Sequence, residues 1–217
     1  MHVRHIKKLV FVSAGVLSLG VVGCKPNAQA QNQTTEQASS APVVEVKKTK
    51  ADVPFVPTPN EVVEQMLKMA NVSNGDVVFD LGSGDGRIPI TAVQKYAAKR
   101  AVGVEINPDL VKQSRENAEK AGVSDRVEFL QQDLFKTDLR GANVVTLYLL
   151  PDVNLKLRPK LFEELKPGTR VVSHAFNMGD WKPEREEQVK ANNGRTYTLY
   201  QWTIPENIPN NLRSSQK

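Results

Sequence analysis

Cysteine and histidine are almost missing from this chain of 217 residues: one cysteine, Cys24, and three histidines, His2, His5 and His174. A single cysteine permits no internal disulfide and no thiolate cluster, and three scattered imidazoles supply too few ligands for zinc, so no metal is expected. A basic folded body is missing too. The formal net charge is +5, yet residues 1–52 hold seven Lys or Arg against three Asp or Glu, which leaves twenty-two against twenty-one in residues 53–217. A nucleic-acid domain carries its positive charge on the folded part, so no nucleic-acid partner is expected. The length suits one well-buried domain with appendages and is too short for two ordinary domains.

What is present begins with a leader. Arg4, His5, Lys7 and Lys8 precede "LVFVSAGVLSLGVVG", an uncharged run from Leu9 to Gly23. Fifteen residues fall short of the roughly 20 of a membrane-spanning helix and match the apolar region of a secretory signal. The run ends in "VVGC", which resembles a bacterial lipoprotein cleavage box and would make Cys24 the lipidated first residue. The alternative is an uncleaved anchor that leaves the domain in the cytoplasm. Either way the membrane is an expected partner. Residues 24–52 are rich in Gln, Asn, Thr, Ser and Ala and read as a flexible linker. The folded domain is expected over residues 53–217.

Within it, strands and helices alternate. Val62, Val63, Met66, Leu67 and Ala70 follow a helical period, with Thr58 as the expected cap. "VVFDLG" reads as a buried strand and "GRIPITAVQKYAAK" as a helix leaving a glycine turn. "AVGVEI" is a second strand, and "NPDLVKQSRENAEKAG" a helix capped by Asn107 and stopped at Gly122. "RVEFLQQD", "NVVTLYLL" and "RVVSHAF" are further strands, with a helix expected from about Val153 to Leu165. "EEQVKA" and "TYTLYQWTI" flank the turn "NNGR" and read as a closing hairpin. The pattern predicts an α/β, Rossmann-like fold: a seven-stranded, mostly parallel sheet, a C-terminal antiparallel hairpin, and helices on both faces.

In such a sheet ligands bind beyond the carboxyl ends of the strands, where the first glycine turn lies. Its spacing, Gly82-Ser83-Gly84-Asp85-Gly86, differs from the G-x-G-x-x-G of dinucleotide sites and places an acid where pyrophosphate would be repelled. No Lys-Ser or Lys-Thr follows, which excludes a Walker loop. Acids at Asp80 and Asp85 suit a cationic sulfonium or ammonium ligand. Glu105, ending the second strand, is placed to accept from both hydroxyls of a ribose. Asp133, ending the third, is placed to accept from an exocyclic amine such as adenine N6. As a strand-end acid, Glu105 is not expected to belong to the core, so its removal would spare folding.

"DLGSGDGRI", "GVEINPDLV" and "FLQQDLF" resemble the nucleotide-binding motifs of class I S-adenosylmethionine-dependent methyltransferases. The resemblance spans about residues 53–205 and implies that Asp80, Gly82, Gly84 and Gly86 surround the methionine part of that cofactor. It further implies Glu105 at the ribose and Asp133 with Leu134 at the adenine, with Ser83 and Asp85 completing the loop. "FVPTP", "LYLLPDVNLKLRP" and "LKPGTRVVSHAF" resemble a narrower group, the single-domain protein-lysine methyltransferases related to the one acting on the c subunit of ATP synthase. On that likeness Phe55, Pro57 and Thr58 would close over the cofactor. The loop after the fourth strand, Tyr148, Leu149, Leu150 and Pro151, would face the methyl acceptor.

The expected function is methyl transfer to an amino group of a protein, a lysine in particular. Positioning accelerates such an in-line displacement, and an aromatic wall favours the neutral amine by desolvation. Tyr148 is the candidate wall and His174 a candidate base. Two alternatives stand beside this reading: a small-molecule methyltransferase, and an exported lipoprotein that holds an adenosine-like or cationic solute without catalysis. The second arises because a domain exported beyond the membrane would work where S-adenosylmethionine is not expected to be supplied.

Overall fold

The computed structural model describes residues 55–212. The leader, the whole linker and the proposed lipidation site at Cys24 lie outside the described residues. The chain opens with α1 (Asn60–Met69), β1 (Val77–Leu81), α2 (Arg87–Tyr96), β2 (Arg100–Glu105) and α3 (Pro108–Lys120). β3 (Val127–Gln131), β4 (Val144–Leu147), α4 (Pro151–Glu164) and β5 (Arg170–His174) follow, and the hairpin β6 (Arg185–Lys190) and β7 (Thr196–Thr203) ends the domain.

The seven strands form one sheet in the order β3-β2-β1-β4-β5-β7-β6. β1 to β5 run parallel, and β7 is antiparallel to both β5 and β6. The hairpin predicted from the "NNGR" turn is therefore present and pairs with β5 through β7. Alternation along the strands divides the core into two layers. Val78, Ala101, Val144 and Val172 pack with α1, α2 and α3, while Phe79, Val102, Val145 and Val171 pack with Leu157, Leu161 and the indoles of Trp181 and Trp202. Both tryptophans are core residues. Among the described residues no helix is long and apolar enough to cross a membrane.

Two local expectations need correction. Pro59, not Thr58, is the N-cap of α1, and no side chain bonds there. Proline presets the extended backbone before the first turn, which frees the Thr58 hydroxyl to bond His174 Nδ1 at 3.1 Å. Pro151, expected in the acceptor loop, is instead the first residue of α4, where a missing N–H costs nothing. Asn107 does cap α3, accepting from the Asp109 N–H at 2.9 Å.

Gly86 shows why the loop after β1 is so rich in glycine. It is the N-cap of α2 at φ +81°, and a Cβ there would sit 2.5 Å from the Phe129 ring and 2.9 Å from Ser114. The position needs a left-handed backbone and leaves no room for a methyl group. Gly86→Ala is accordingly expected to lower stability by about 2–4 kcal/mol, combining the left-handed penalty with overpacking. A urea midpoint unchanged from wild type would show that Phe129 moves aside freely.

Candidate active site

β1 is the strand at which the order reverses, with β2 on one side and β4 on the other. Crossovers from β1 and β4 leave toward opposite faces, so a crevice opens beyond their carboxyl ends. A cavity of about 430 Å³ lies there. Asp80, Gly82, Ser83, Asp85, Glu105, Asp133 and Leu134 all line it, brought together from the ends of β1, β2 and β3. Phe55, Pro57 and Thr58 form one wall, and Tyr148 and Leu149 another.

The remaining predicted residues lie outside the lining. Gly84 is packed directly beneath the Phe55 ring, which a Cβ at this position would strike. Gly84 and Gly86 therefore admit other side chains of the protein into the loop. Leu150 is 40% exposed and Pro151 is exposed at the start of α4. His174 is wholly buried behind Tyr148, its ring stacked on the phenol ring at a centroid distance of 3.8 Å.

Each acid has a distinct environment. Asp80 is 2% exposed and its Oδ1 accepts from the Thr146 hydroxyl at 2.7 Å. Burial pushes its carboxyl up to about 7; the Thr146 hydrogen bond opposes the rise, and the neighbouring Asp85 and Glu105 add to it. Asp85 differs from the sequence expectation. Its two oxygens are gripped by the Arg87 guanidinium at 2.6–3.2 Å, so its charge is already matched. Arg87 also donates through Nη1 to the Thr58 carbonyl at 2.8 Å, tying the segment from Phe55 to Thr58 onto the glycine loop.

Glu105 also departs from expectation. It is 8% exposed, and its carboxylate accepts three backbone N–H groups: Gly84 at 3.0 Å, and Ile106 and Asn107 at 2.9 Å each. It is a structural clasp on the glycine loop as well as a cavity residue. Its expected dispensability for folding is thus corrected. Asp133 accepts from the Phe135 N–H at 2.9 Å and shapes a 3-10 turn, Leu134–Lys136, at the far end of the cavity.

Arg87, Ile88, Ile106, Leu110, Phe135 and Val153 also line the cavity without having been singled out from the sequence. Arg87 lies inside the quoted glycine motif and Ile106 directly follows Glu105, so both carried a positional signal. Leu110, Phe135 and Val153 carried none, since apolar residues on helices and turns read as core. Among the described residues the lining holds the acids Asp80, Asp85, Glu105 and Asp133 and the single cation Arg87. A ligand with positive charge and hydroxyl donors matches this set, and a phosphate does not. Among the described residues no group of three His, Cys, Asp or Glu is arranged to hold a metal. The buried, high-pKa Asp80 and the apolar side chains of Phe55 and Leu134 fit S-adenosylmethionine.

Comparison with known proteins points the same way. The family profile described as the ANTKMT methyltransferase domain matches residues 80–185. A protein-lysine N-methyltransferase of Saccharolobus islandicus (strain REY15A) is 48% identical over 155 residues, covering 71% of this chain and 95% of that protein. The Homo sapiens lysine N-methyltransferase named for the c subunit of ATP synthase is 37% identical, covering 68% of this chain and 62% of that protein. A crystal structure from Salinibacter ruber, described as an RNA methyltransferase in complex with S-adenosyl-L-homocysteine, is 58% identical at a TM-score of 0.68. That match covers 72% of this chain and 99% of that one. The fold, the cofactor and the kinship agree: the chain is an S-adenosylmethionine-dependent methyltransferase and belongs to the protein-lysine N-methyltransferase family.

Proposed function

We propose that this enzyme methylates the ε-amino group of a lysine on a protein acceptor. The observation that carries the reading is its 48% identity to a protein-lysine N-methyltransferase across nearly the whole of that relative. Relatives named for the c subunit of ATP synthase and for the adenine nucleotide translocase, 37% and 40% identical, add protein acceptors of the same kind. Neither a small-molecule acceptor nor a non-catalytic solute-binding role gains support from these names. The near balance of charge over residues 53–217 weighs against a nucleic-acid acceptor, which the Salinibacter ruber relative's description would suggest.

S-adenosylmethionine supplies a methyl group made electrophilic by its sulfonium. The protein binds, orients and excludes water. Asp80 offers a buried carboxylate to the positive charge at the methionine end, and Glu105, with three of its roughly four lone-pair sites taken by backbone N–H groups, keeps one for a ribose hydroxyl. Asp133 and Leu134 define the adenine end. At the acceptor end the wall is the Tyr148 ring with Leu149, aromatic and apolar; burial also raises the Tyr148 phenol above its ordinary value, so it stays protonated. A lysine threaded against that wall loses hydration, which favours its neutral, nucleophilic form.

Incubating the enzyme with labelled S-adenosylmethionine and separate protein and RNA extracts tests this. Acid hydrolysis of the labelled protein is expected to yield methyl-lysine. Label recovered in the RNA arm, with protein left unlabelled, would overturn the acceptor and leave the methyltransferase standing.

A further inference from the structure

The buried histidine behind the acceptor wall has more to it than packing. His174 ends β5, is 0% exposed and does not line the cavity. Its ring lies against Tyr148 at 3.8 Å between centroids and 30° between planes, with Tyr197 edge-on at 5.2 Å. Nδ1 is hydrogen-bonded to the Thr58 hydroxyl at 3.1 Å, across 116 residues of sequence. Nε2 is buried with no hydrogen-bond partner.

Leaving a buried ring nitrogen unsatisfied costs on the order of 1–3 kcal/mol. A phenyl ring would occupy the same slot between two tyrosines without that cost. Packing therefore does not account for an imidazole here, and the bond from Nδ1 to Thr58 does. Thr58 is itself fixed, since its carbonyl accepts from Arg87, whose guanidinium holds Asp85 in the glycine loop. Burial lowers the His174 pKa to about 4, so the ring is neutral near pH 7.

We propose that Thr58 and His174 form a positioning pair that sets the plane of the Tyr148 ring and so places the acceptor amine; the proposal rests on Tyr148 being the acceptor wall. The Thr58 hydroxyl holds the imidazole against rotation, and the stacked phenol ring takes its orientation from it. Positional errors of about 1 Å at a reacting centre are enough to cost a hundredfold in rate, so a modest loosening of this ring is visible in turnover. Neither residue exchanges a proton with the acceptor.

The test uses Thr58→Val, Thr58→Ser, His174→Phe and the double variant Thr58→Val/His174→Phe in the full chain. Both Thr58→Val and His174→Phe are expected to lower kcat about tenfold, and in His174→Phe, whose side chain does not line the cavity, KM and the Kd for S-adenosylhomocysteine change less than about twofold. Thr58→Ser keeps the hydroxyl and is expected to stay within about twofold of wild type, and the double variant to be no slower than either single one, as for residues acting as a unit. His174→Phe is expected to melt near the wild-type temperature, since relief of Nε2 is offset by the Thr58 hydroxyl it strands, and the double variant at or above it. Wild-type kcat in Thr58→Val, rate losses that multiply in the double variant, or losses that merely follow melting temperature would each overturn the pair.

A second readout needs no acceptor. In chain labelled with fluorotyrosine, one of the four tyrosine resonances is assigned to Tyr148 by its loss in Tyr148→Phe. It is expected to shift in Thr58→Val and to return in Thr58→Ser; an unmoved resonance refutes the pair. A wild-type enzyme that leaves protein lysine unmethylated while this resonance responds would refute the acceptor reading alone.

Discussion

Asp80→Asn is expected to stabilise the cofactor-free domain and, in the same variant, to weaken cofactor binding at least a hundredfold. The carboxyl is buried at the end of β1 with a pKa raised to about 7. In the unfolded chain it ionises near 3.8. Between about pH 4 and pH 7 the folded state therefore binds a proton that the unfolded state has released. The stabilisation this provides is full below pH 4 and is lost as pH rises through 7. At about 1.4 kcal/mol per pKa unit, the loss is on the order of 4 kcal/mol by pH 8. Asparagine keeps the shape, and its Oδ1 still accepts from Thr146, so the gain at pH 8 is expected to be about 2–4 kcal/mol with the pH slope flattened.

Cofactor binding moves the opposite way. A cation beside Asp80 requires the carboxylate, so wild-type affinity is expected to rise with pH up to about 7 and then level, with protons released on binding below that. Removing one member of a buried charge pair costs about 3–5 kcal/mol, so Asp80→Asn is expected to weaken S-adenosylmethionine by at least a hundredfold. Calorimetry at pH 6 and pH 8 with thermal melts checks both halves. A variant that binds normally removes Asp80 from the cationic end of the cofactor.

The sheet, its order of helices and strands and its closing hairpin were legible because each strand is a short apolar run bounded by glycine, proline or a cap. Acids that end β1, β2 and β3 were legible for the same reason, since the end of a parallel strand is a fixed place relative to the crevice. What escaped was partnership. Asp85 reads as a free acid until Arg87, two residues on, is seen to fold back over it. Thr58 fits the sequence signature of a helix cap, and only the tertiary fold places His174 beside it. Phe135 and Val153 look like core residues, because burial against a cavity and burial against a neighbour leave the same apolar letter. Local periodicity carries no information about which of two distant polar groups meet.

Glu105 is expected to be the second most sensitive position, and for two separable reasons. Oε2 takes the Gly84 N–H, while Oε1 takes those of Ile106 and Asn107. Glu105→Ala strands the buried Gly84 N–H and loosens the loop on which the methionine end of the cofactor would rest. Leaving one such donor unsatisfied costs about 1–3 kcal/mol, which is the expected loss of unfolding free energy without cofactor. The charge-assisted bond to ribose goes as well, at about 1.5–3 kcal/mol, so the Kd is expected to rise about ten- to a hundredfold. Glu105→Gln separates the contributions. Its single carbonyl oxygen can serve Gly84 or the Ile106–Asn107 pair, and the amide on the other side confronts an N–H with an N–H. The glutamine variant is therefore expected to lose stability to a similar degree, while still offering one polar group to a ribose hydroxyl. Its Kd should fall between those of wild type and Glu105→Ala. Unchanged stability in both variants would show that the glycine loop holds its shape without the clasp, and an unchanged Kd would place the ribose elsewhere.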